Sequence, residues 1–427
     1  MYIENYGCQM NVSDSDIITS ILLRNGFILS ENLDQANIIL LNACSIREKA
    51  ELTLKNRLEQ LKFVKKKKKI WIGIIGCFSK QIKNFLLQDK IVNFFVNPDS
   101  YREIPNFIYY SMMGKAAKKN ETYADISFVN VKTKQKKITT FLSITRGCNN
   151  MCTFCIVPFT RGRERSSDPD SIIKESKRLY QNGYKEITLL GQNVDSYLWI
   201  IVDFSELLDL LANEIPFMRI RFSTSNPHDM SDKVLKVISQ HPNICKHIHL
   251  PVQSGSNKIL KLMNRKYTRE KYLFLVQKIK NIIPECSISH DIMTGFCNEN
   301  EEDHQETISL MNEIKYNYGY MFSYSPRPGT YAYRKLKDNV PENIKKRRLK
   351  EIIDLQINHS FYRMQEHLGK IEEVLIEGES KKNNQYWYGR NTQNLIVVFP
   401  KKSLNIGDFA HVEITDATSA TLIGKHC

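Results

Sequence analysis

The sequence predicts an α/β protein with three parts: an amino-terminal parallel α/β sheet domain, a central partial (β/α)6 barrel, and a small carboxyl-terminal all-β barrel. Apolar strand-like runs alternate with helical segments over residues 1–116 and again over residues 134–364. Residues 117–133 are polar and lysine-rich, which is typical of a linker, and residues 366–427 switch to short runs of alternating polarity separated by glycines. These changes of pattern place the predicted domain boundaries.

The first domain reads as a flavodoxin-like or Rossmann-like parallel sheet. Ser13 is the predicted N-cap of a helix that ends at Asn25, before Gly26. Further helices are predicted from Ile46 to Val64 and between the third and fourth strands. The strands are predicted at Tyr2–Tyr6, Ala36–Leu41, Ile70–Ile75 and Ile91–Val96.

Three cysteines of this domain follow the ends of predicted strands. Cys8, Cys44 and Cys77 each lie shortly past the carboxyl end of one strand. Because the carboxyl ends of parallel strands share one edge of a sheet, these side chains can converge on one cluster that keeps an iron without a protein ligand. Three separate buried cysteines are the alternative that the pattern alone leaves open.

The central domain repeats a strand followed by a helix. One helix is predicted over Asp170–Gln181 with Asp168 as its cap, and another over Thr268–Ile282. Six strands are too few for a complete eight-stranded barrel, so we expect an open barrel with a wide mouth and with its chemistry at the carboxyl ends of the strands. The strands are predicted at Thr140–Thr145, Glu186–Leu190, Met218–Phe222, His247–Leu250, Ser287–Met293 and Tyr320–Tyr324.

A second group of cysteines follows the first of these strands. Cys148, Cys152 and Cys155 have the spacing C-x3-C-x2-C, which predicts an iron–sulfur or a zinc site. A structural zinc needs four closed ligands. Three thiolates on a 4Fe–4S cluster leave one iron open to a further ligand, so the cluster is favoured over zinc and over thiols that bind nothing.

Other candidate residues follow later strands of the same barrel. Gly191 lets the backbone come close to a ligand, and Gln192 and Gln253 can hydrogen-bond a cofactor. A tight turn explains Gly191 and Gln192 equally well. His249 is interpreted as a hydrogen-bonded histidine of the barrel rim and not as a metal ligand.

Several stretches of the chain resemble the methylthiotransferase family of radical S-adenosylmethionine enzymes. The run CNNMCTFCIVPFTRGRER is similar to the radical S-adenosylmethionine signature, and YGCQMN, NACSIRE and GCF are similar to the three cysteine motifs of the family's amino-terminal domain. The resemblance continues through EITLLGQNV, RIRFSTSNP, HIHLPVQSGSNKILKLMNRKYTRE and YSPRPGT, and VEITDATSATLIGK resembles the end of an RNA-binding TRAM domain.

The resemblance implies two 4Fe–4S clusters and S-adenosylmethionine as cofactors. In the family, one cluster, on residues matching Cys148, Cys152 and Cys155, cleaves S-adenosylmethionine to a 5′-deoxyadenosyl radical. Residues matching Cys8, Cys44 and Cys77 hold an auxiliary cluster for sulfur delivery. All six cysteines are therefore expected to be both metal ligands and catalytic, and Gly191, Gln192 and Gln253 to bind cofactor.

The resemblance also implies the domains and the substrate. Residues 1–116 match the methylthiotransferase amino-terminal domain, 134–364 the radical S-adenosylmethionine core and 366–427 the TRAM domain. The GCQMN and CSIRE stretches favour the branch that inserts a methylthio group at C2 of N6-(dimethylallyl)adenosine at tRNA position 37. Alternatives are methylthiotransferases acting on threonylcarbamoyladenosine or on a ribosomal-protein aspartate, and a non-catalytic iron–sulfur RNA-binding protein.

The chain departs from the family pattern at several points. Ala43 stands where threonine is usual, and Phe78, Ser79 and Lys80 replace the usual continuation after the third cysteine. The family's Gly-Phe-Pro-Gly-Glu is replaced by residues 295–299, in which Cys297 is interpreted as a turn residue. The loop after Tyr197 looks shortened, with residues 199–202 running into the next helix.

Charge and composition indicate the partners. Sixty-one lysines and arginines against 46 acidic residues give a formal charge of +15, which favours a polyanion such as RNA, although lysine-rich coding bias is an alternative. Ten cysteines, no amino-terminal signal and no apolar run of about eighteen residues predict a cytoplasmic metal or redox protein. Expected partners are a tRNA anticodon stem-loop, a reductant protein and a sulfur donor, with no membrane, and the protein is expected to be a monomer.

Two groups of residues are candidates for RNA contact. The first is basic and comprises Arg327, Arg334, Lys335, Lys337 and the run from Lys345 to Lys350, for which a solvated helix face is the alternative. The second is the aromatic run Tyr386, Trp387 and Tyr388 beside Arg390, in which one ring is expected to stack on a base.

Overall fold

The computed structural model describes residues 1–44, 48–78, 83, 86, 91–115 and 137–427. The predicted helix between the third and fourth strands lies outside the described residues except at Lys83 and Leu86, as does the predicted linker 117–133. The chain forms two compact units. The first comprises Met1–Lys137, Phe141–Asn149 and Ile156–Glu175, and the second comprises Ile138–Thr140, Asn150–Cys155 and Ser176–Cys427.

The first unit contains the parallel sheet that the sequence predicts. Its four strands are hydrogen-bonded in the order β1-β2-β3-β4, and each pair is parallel. The strands are β1 (Tyr2–Asn5), β2 (Ile38–Ala43), β3 (Trp71–Gly76) and β4 (Phe94–Val96). The helices are α1 (Gln9–Arg24), α2 (Glu48–Lys67) and α3 (Ile104–Met112), with 3₁₀ turns at Leu33–Gln35 and Pro98–Glu103.

Both faces of this sheet are buried. Alternate residues of β2 point to opposite faces. Leu40 packs in a cluster with Leu22 of α1, whereas Leu41 packs in a second cluster with Leu58 of α2. Helices therefore cover the two faces, and the carboxyl ends of the strands remain the place where a ligand can approach.

The prediction that Ser13 caps the first helix is wrong. The helix begins at Gln9, and Cys8 is its N-cap, with extended backbone angles. The amides of Asn11 and Val12 both donate to the carbonyl oxygen of Cys8, whereas Ser13 is buried inside the helix. The helix starts this early because β1 ends at Asn5 and the chain turns at Gly7. As a result, the Cys8 thiol lies at a helix N-terminus, where a negative charge is favoured.

The first unit also holds the elements that follow Thr145. Strands β6 (Thr145–Arg146) and β7 (Arg165–Ser166) form a short antiparallel pair, and α4 (Val157–Thr160) lies between them in sequence. The boundary between the units falls within β5 (Thr139–Ser143) and within α5 (Pro169–Gln181). The amide of Ser171 donates to the Asp168 carboxylate, which confirms the predicted cap of α5.

The six predicted barrel strands form two parallel three-stranded sheets with the orders β11-β8-β5 and β12-β13-β14. A parallel bridge between Ile220 and Ile244 joins β11 to the residues just before β12. Besides β5, the strands are β8 (Glu186–Leu190), β11 (Arg219–Ser223), β12 (His247–His249), β13 (Ser287–Thr294) and β14 (Tyr318–Ser323). The helices are α6 (Phe204–Glu214), α7 (Asp232–Gln240), α8 (Asn257–Leu262), α9 (Arg269–Ile282), α10 (Glu301–Ile314), α11 (Tyr331–Lys335) and α12 (Glu342–Gln365).

The segment after Tyr197 differs from the sequence prediction. Residues 199–202 do not run directly into the next helix. Strands β9 (Leu198–Trp199) and β10 (Val202–Asp203) pair as a small antiparallel hairpin, and Asp203 then caps α6. Ile200 makes this tight turn possible by adopting a positive φ of 56°.

The carboxyl-terminal residues form the closed barrel that the sequence predicts. Its strand order is β15-β16-β17-β19-β18, in which only the β17–β19 pair is parallel. Inward-facing apolar residues such as Val374, Val397 and Val412 fill its core. The strands are β15 (Ile371–Glu379), β16 (Tyr386–Arg390), β17 (Ile396–Pro400), β18 (Phe409–Ala417) and β19 (Leu422–His426).

Buried arginines fasten this barrel to the amino ends of β8 and β11. The Glu186 carboxylate, fully buried, accepts hydrogen bonds from Arg221 at 2.8 Å and from Arg390 at 3.0 Å. Arg219 reaches Glu373 at 2.8 Å. The prediction that Arg390 is a cation for RNA is therefore wrong, because its guanidinium is held by carboxylates inside the protein.

Two of the five basic residues in the run from Lys345 to Lys350 of α12 are also buried. Lys345 is buried and contacts Asp338 at 2.8 Å, and Arg348 is buried and contacts Glu299 at 3.0 Å. For these two residues neither predicted alternative holds, since they face neither solvent nor phosphate.

Along the described ranges, no helix is long and apolar enough to cross a membrane.

Candidate functional site

The first cysteine triad lies at one edge of the amino-terminal sheet. Cys44 and Cys77 come directly after β2 and β3, and Cys8 follows β1 by three residues. A hydrogen bond from Cys44 lowers the pKa of the Cys8 thiol to about 6, with a further contribution from the positive charge of Arg161. Burial raises the pKa of Cys77, and Arg161 opposes this shift. The structure thus brings the Cys8 and Cys44 side chains into contact and places Cys77 within electrostatic range of Cys8.

Two buried asparagines hold the loops that carry these cysteines. The Asn11 amide nitrogen donates to Asn42 Oδ1 at 2.7 Å and to the carbonyl oxygen of Ala43 at 2.8 Å, and the Asn42 amide donates back to the carbonyl oxygen of Asn11. Gly76 precedes Cys77 with a φ of +88°, and a Cβ atom there would lie 2.3 Å from Asn42 Oδ1. The turn into Cys77 therefore requires glycine.

A buried ion-pair cluster lies beside the triad. Asp14 is fully buried and contacts Arg146 at 2.7 Å and Arg161 at 3.1 Å, and the Tyr101 hydroxyl donates to it at 3.0 Å. Burial alone would raise the pKa of Asp14, but the two guanidinium groups outweigh this effect and hold it below its usual value. Asp14 therefore stays ionised, and the cluster carries two positive charges and one negative charge.

The side chains of this triad are thiols, the donors that hold iron–sulfur clusters. Among the residues that the structure describes, no three His, Cys, Asp or Glu side chains are close enough to bind one ion. A 4Fe–4S cluster places each thiolate on a different iron, so its ligands lie further apart than those of a mononuclear site. Three thiols at adjacent strand ends, one with a lowered pKa, match that requirement.

The boundary between the two units divides the second triad. In the first unit, the amide of Cys148 donates to the Gly162 carbonyl at 3.2 Å. In the second unit, Cys152 and Cys155 share one turn, in which the Cys155 amide donates to the Cys152 carbonyl at 3.0 Å. Arg265 donates from Nη1 to the Cys152 sulfur at 3.3 Å. This hydrogen bond places a cationic donor directly beside the Cys152 sulfur.

The predicted cofactor contacts lie at strand ends of the second unit. Gly191 is buried and Gln192 half-buried, directly after β8. Gln253 has a positive φ of 72°, and its backbone N–H donates to the backbone carbonyl of Asp291 at 2.8 Å. Its side-chain Oε1 is buried and has no hydrogen-bond partner in the described part of the chain. A buried acceptor without a donor fits a bound ligand that supplies one.

Two interpretations of single residues are confirmed. His249 donates or accepts a hydrogen bond with Ser289 at 2.8 Å and lies 3.5 Å from Asp291, as expected for a rim histidine. Cys297 is buried in a turn, and the next residue, Asn298, has a φ of +64°. Asparagine tolerates this conformation better than most residues, so the turn survives without the glycine that is usual in the family.

Three further residues near these sites are not predictable from the sequence patterns alone. Arg161 and Arg265 lie in the quoted TRGRER and NRKYTRE stretches, but nothing in the sequence shows which cysteine each one meets. Asp195 is half-buried and accepts hydrogen bonds from Ser225 and the backbone amide of Asn226, and desolvation raises its pKa to about 7. A carboxylate directly after GQNV was the available signal.

The chain matches three family descriptions. Residues 1–97 match the Uncharacterized protein family UPF0004, residues 142–311 the Radical SAM superfamily, and residues 365–426 the TRAM domain. The radical SAM match implies a 4Fe–4S cluster and S-adenosylmethionine as cofactors.

Curated relatives match the whole chain. A tRNA-2-methylthio-N(6)-dimethylallyladenosine synthase of Karelsulcia muelleri is 59% identical over 99% of this chain and 98% of its own length. The chain belongs to the tRNA-2-methylthio-N(6)-dimethylallyladenosine synthase family. Synthases of Christiangramia forsetii and Bacteroides thetaiotaomicron are 52% and 50% identical, each over 100% of this chain and over 93% and 95% of their own lengths.

Solved structures outside the synthase family share the fold. The radical S-adenosylmethionine methyltransferase TsrM of Kitasatospora setae superposes with a TM-score of 0.62 at 10% identity, over 78% of this chain and 73% of that chain. The cobalamin-dependent radical enzyme OxsB superposes with a TM-score of 0.53 at 12% identity, over 81% of this chain and 56% of that chain. At such low identity these likenesses support the fold alone.

Proposed function

We propose that the protein is a tRNA methylthiotransferase that inserts a methylthio group at C2 of N6-(dimethylallyl)adenosine at tRNA position 37. The observation that carries this proposal is the gathering of Cys8, Cys44 and Cys77 at one edge of the amino-terminal sheet, in a chain that also has a radical SAM cysteine loop. The C2–H bond of adenine has no acidic proton for a general base, so a radical route is needed.

The six cysteines divide into two ligand sets in this proposal. Cys148, Cys152 and Cys155 hold the radical SAM cluster, and Cys8, Cys44 and Cys77 hold an auxiliary cluster. When bound, the first would supply the electron that cleaves S-adenosylmethionine to methionine and a 5′-deoxyadenosyl radical, and the second would supply the sulfur, with its methyl group coming from a second S-adenosylmethionine.

Other residues of the chain orient these groups. Arg265 orients the Cys152 side chain through a hydrogen bond to its sulfur. The buried Oε1 of Gln253 is suited to accept a hydrogen bond from the amino group of S-adenosylmethionine, with Gly191 and Gln192 as further contacts. Loss of these contacts would weaken cofactor binding and leave the cysteine ligands in place.

A surface of α11 supports RNA as the substrate. Tyr331 and Tyr333 are each 51% exposed, and Arg334 and Lys335 beside them are exposed. The backbone amide between the tyrosines, that of Ala332, donates to the carbonyl oxygen of Thr153 at 2.8 Å, within the loop of Cys152. Exposed aromatic rings next to cations suit stacking on single-stranded bases and contact with phosphates. This α11 surface is therefore anchored directly on the cysteine loop.

The remaining partners and the domain limits belong to the same proposal. The three functional domains are residues 1–116, 134–364 and 366–427. The linker 117–133 joins the first two. A reductant protein and a sulfur donor serve a monomeric cytoplasmic enzyme.

Nucleoside mass spectrometry tests the proposed reaction. Reduced, iron-loaded protein is incubated with S-adenosylmethionine and tRNA carrying dimethylallyladenosine, and both 5′-deoxyadenosine and the methylthio nucleoside are measured. Cys152→Ala should abolish both products, whereas Cys44→Ala should still give 5′-deoxyadenosine without the methylthio nucleoside. Cys245→Ala, a buried cysteine outside both triads, should leave both products unchanged.

Three results would overturn the proposal. No 5′-deoxyadenosine from the native chain would indicate a non-catalytic iron–sulfur protein. A product only with tRNA that carries threonylcarbamoyladenosine, or only with a ribosomal-protein aspartate, would assign the chain to another substrate.

A further inference from the structure

Arg161 is buried beside the first cysteine triad and makes fewer hydrogen bonds than its guanidinium allows. It is 3% exposed, and its Nη2 contacts Asp14 at 3.1 Å. Its Nε and Nη1 are also buried and have no hydrogen-bond partner among the described residues. Buried donors without acceptors are rare and costly, so this pair of N–H groups indicates an acceptor that the protein alone does not provide.

Arg161 lies beside the helix that begins at the triad, because its guanidinium contacts Asp14 of α1 and Cys8 is the N-cap of the same helix. The positive charge of Arg161 acts on the thiols of both Cys8 and Cys77, and Arg161 also hydrogen-bonds Cys77, whose pKa burial nevertheless raises. Its Nε and Nη1 remain without a partner in the described part of the chain. All these residues belong to the first unit. The acceptor that the guanidinium lacks is therefore expected at the cysteines.

The charges near the triad support the same conclusion. Arg146 and Arg161 bring two positive charges, and Asp14 neutralises only one of them. The surplus positive charge is buried, where an unbalanced charge is strongly unfavourable. Three thiolates around a bound cluster bring negative charge to this place, so the cluster would compensate the positive side of the site.

We propose that Arg161 is a positioning residue of the auxiliary cluster. Asp14 holds the Arg161 guanidinium so that its free Nε–H and Nη1–H groups hydrogen-bond to the sulfur atoms of the cluster and its cysteines. This inference rests on the proposed function, because it requires the auxiliary cluster. Hydrogen bonds to sulfur and a fixed positive charge both favour the more reduced state, so Arg161 raises the reduction potential of this cluster.

The test isolates the auxiliary cluster. In a parent chain with Cys148, Cys152 and Cys155 all replaced by alanine, iron and sulfide are counted and the midpoint potential is measured by an EPR-monitored titration. Arg161→Met should shift the potential to a more negative value, and Arg161→Lys should shift it less, because it keeps the charge. Arg163→Met, at an exposed arginine of the same loop, should leave the potential unchanged.

Two further measurements separate a local effect from misfolding. Thermal melts of the iron-free chains show whether each variant folds, and if Arg161→Met does not fold, Arg161→Lys decides the test. Asp14→Asn releases the guanidinium without removing it and should also move the potential. A folded Arg161→Met chain with full iron and the potential of its parent would overturn the inference.

The proposed function fails by a different result. If the parent chain takes up no iron and sulfide after reconstitution, the auxiliary cluster itself is absent. If the parent loads normally and only Arg161→Met keeps an unshifted potential, the function stands and the role of Arg161 is refuted.

Discussion

Replacing Glu186 by alanine should loosen the attachment of the carboxyl-terminal barrel. The Glu186 side chain is 0% exposed and binds Arg221, which is 4% exposed, and Arg390, which is 25% exposed. Removing one partner of a buried ion pair leaves an uncompensated charge and costs about 3–5 kcal/mol. Arg390 keeps Glu377 at 2.5 Å, so most of this cost falls on Arg221.

Glu373→Ala is the matched control, because its side chain is 48% exposed although it pairs with Arg219 at 2.8 Å. Arg219 is buried, but without the Glu373 carboxylate it keeps hydrogen bonds at 2.8 Å to the backbone carbonyls of Arg390 and residue 373, so this loss should cost about 0–1 kcal/mol. Urea unfolding is followed by the fluorescence of Trp387, which lies in the barrel core. The other two tryptophans are replaced by phenylalanine so that only Trp387 reports. With a slope of about 2 kcal/mol per M, Glu186→Ala should lower the midpoint by about 1.5–2.5 M and Glu373→Ala by less than about 0.5 M. Equal midpoint shifts for the two variants would refute the reasoning.

Three further predictions follow from single sites. Burial raises the pKa of Asp195 to about 7, so the stability that its protonated form contributes is present below pH about 4 and is lost as the pH rises through 7. Urea unfolding at pH 5 and pH 8 should therefore show Asp195→Asn gaining stability relative to the native chain at pH 8, and an equal difference at both values would contradict this. Gly76→Ala adds a Cβ that clashes, so it should destabilise the folded protein by more than the roughly 1–3 kcal/mol of a strained φ. Gly26→Ala, at φ +82° in open space, should cost the strain alone, and thermal melts of the two variants compare the losses. Tyr333→Ala should weaken tRNA binding by about 1–3 kcal/mol in a filter assay if a base stacks there, whereas Tyr109→Ala, 56% exposed in the first unit, should not.

The sequence predicts the elements of this fold well, because their signals are local. The strand Glu186–Leu190 has the predicted bounds, and the last barrel has the five strands that the sequence predicts. Boundaries fail where a neighbouring element decides them, as at Ser13, where the end of β1 and the turn at Gly7 start the helix early. The edge at which Cys8, Cys44 and Cys77 gather follows from the rule for parallel strands.

The partners of charged residues could not be predicted in the same way. Asp14 meets Arg161, and Glu186 meets Arg390, across more than a hundred residues of chain. No local sequence pattern encodes such a pairing. The sequence therefore does not distinguish an arginine that faces RNA from one that faces a buried carboxylate. The prediction for Arg390 failed for this reason, and the role of Arg161 was missed for the same reason.

These ion pairs sharpen what the net charge means for RNA. Each pair between a basic and an acidic side chain removes one charge of each sign, so the buried pairs of Lys345, Arg348 and Arg390 leave the formal excess of +15 unchanged. That excess must therefore be carried by basic residues that have no carboxylate to balance them. Arg334 and Lys335 on the α11 surface are exposed and pair with no carboxylate among the described residues, and they lie beside rings that can stack. The electrostatic attraction for a polyanion is thus expected to act at such exposed positions, and the buried basic residues that the sequence places in the same runs serve the fold instead.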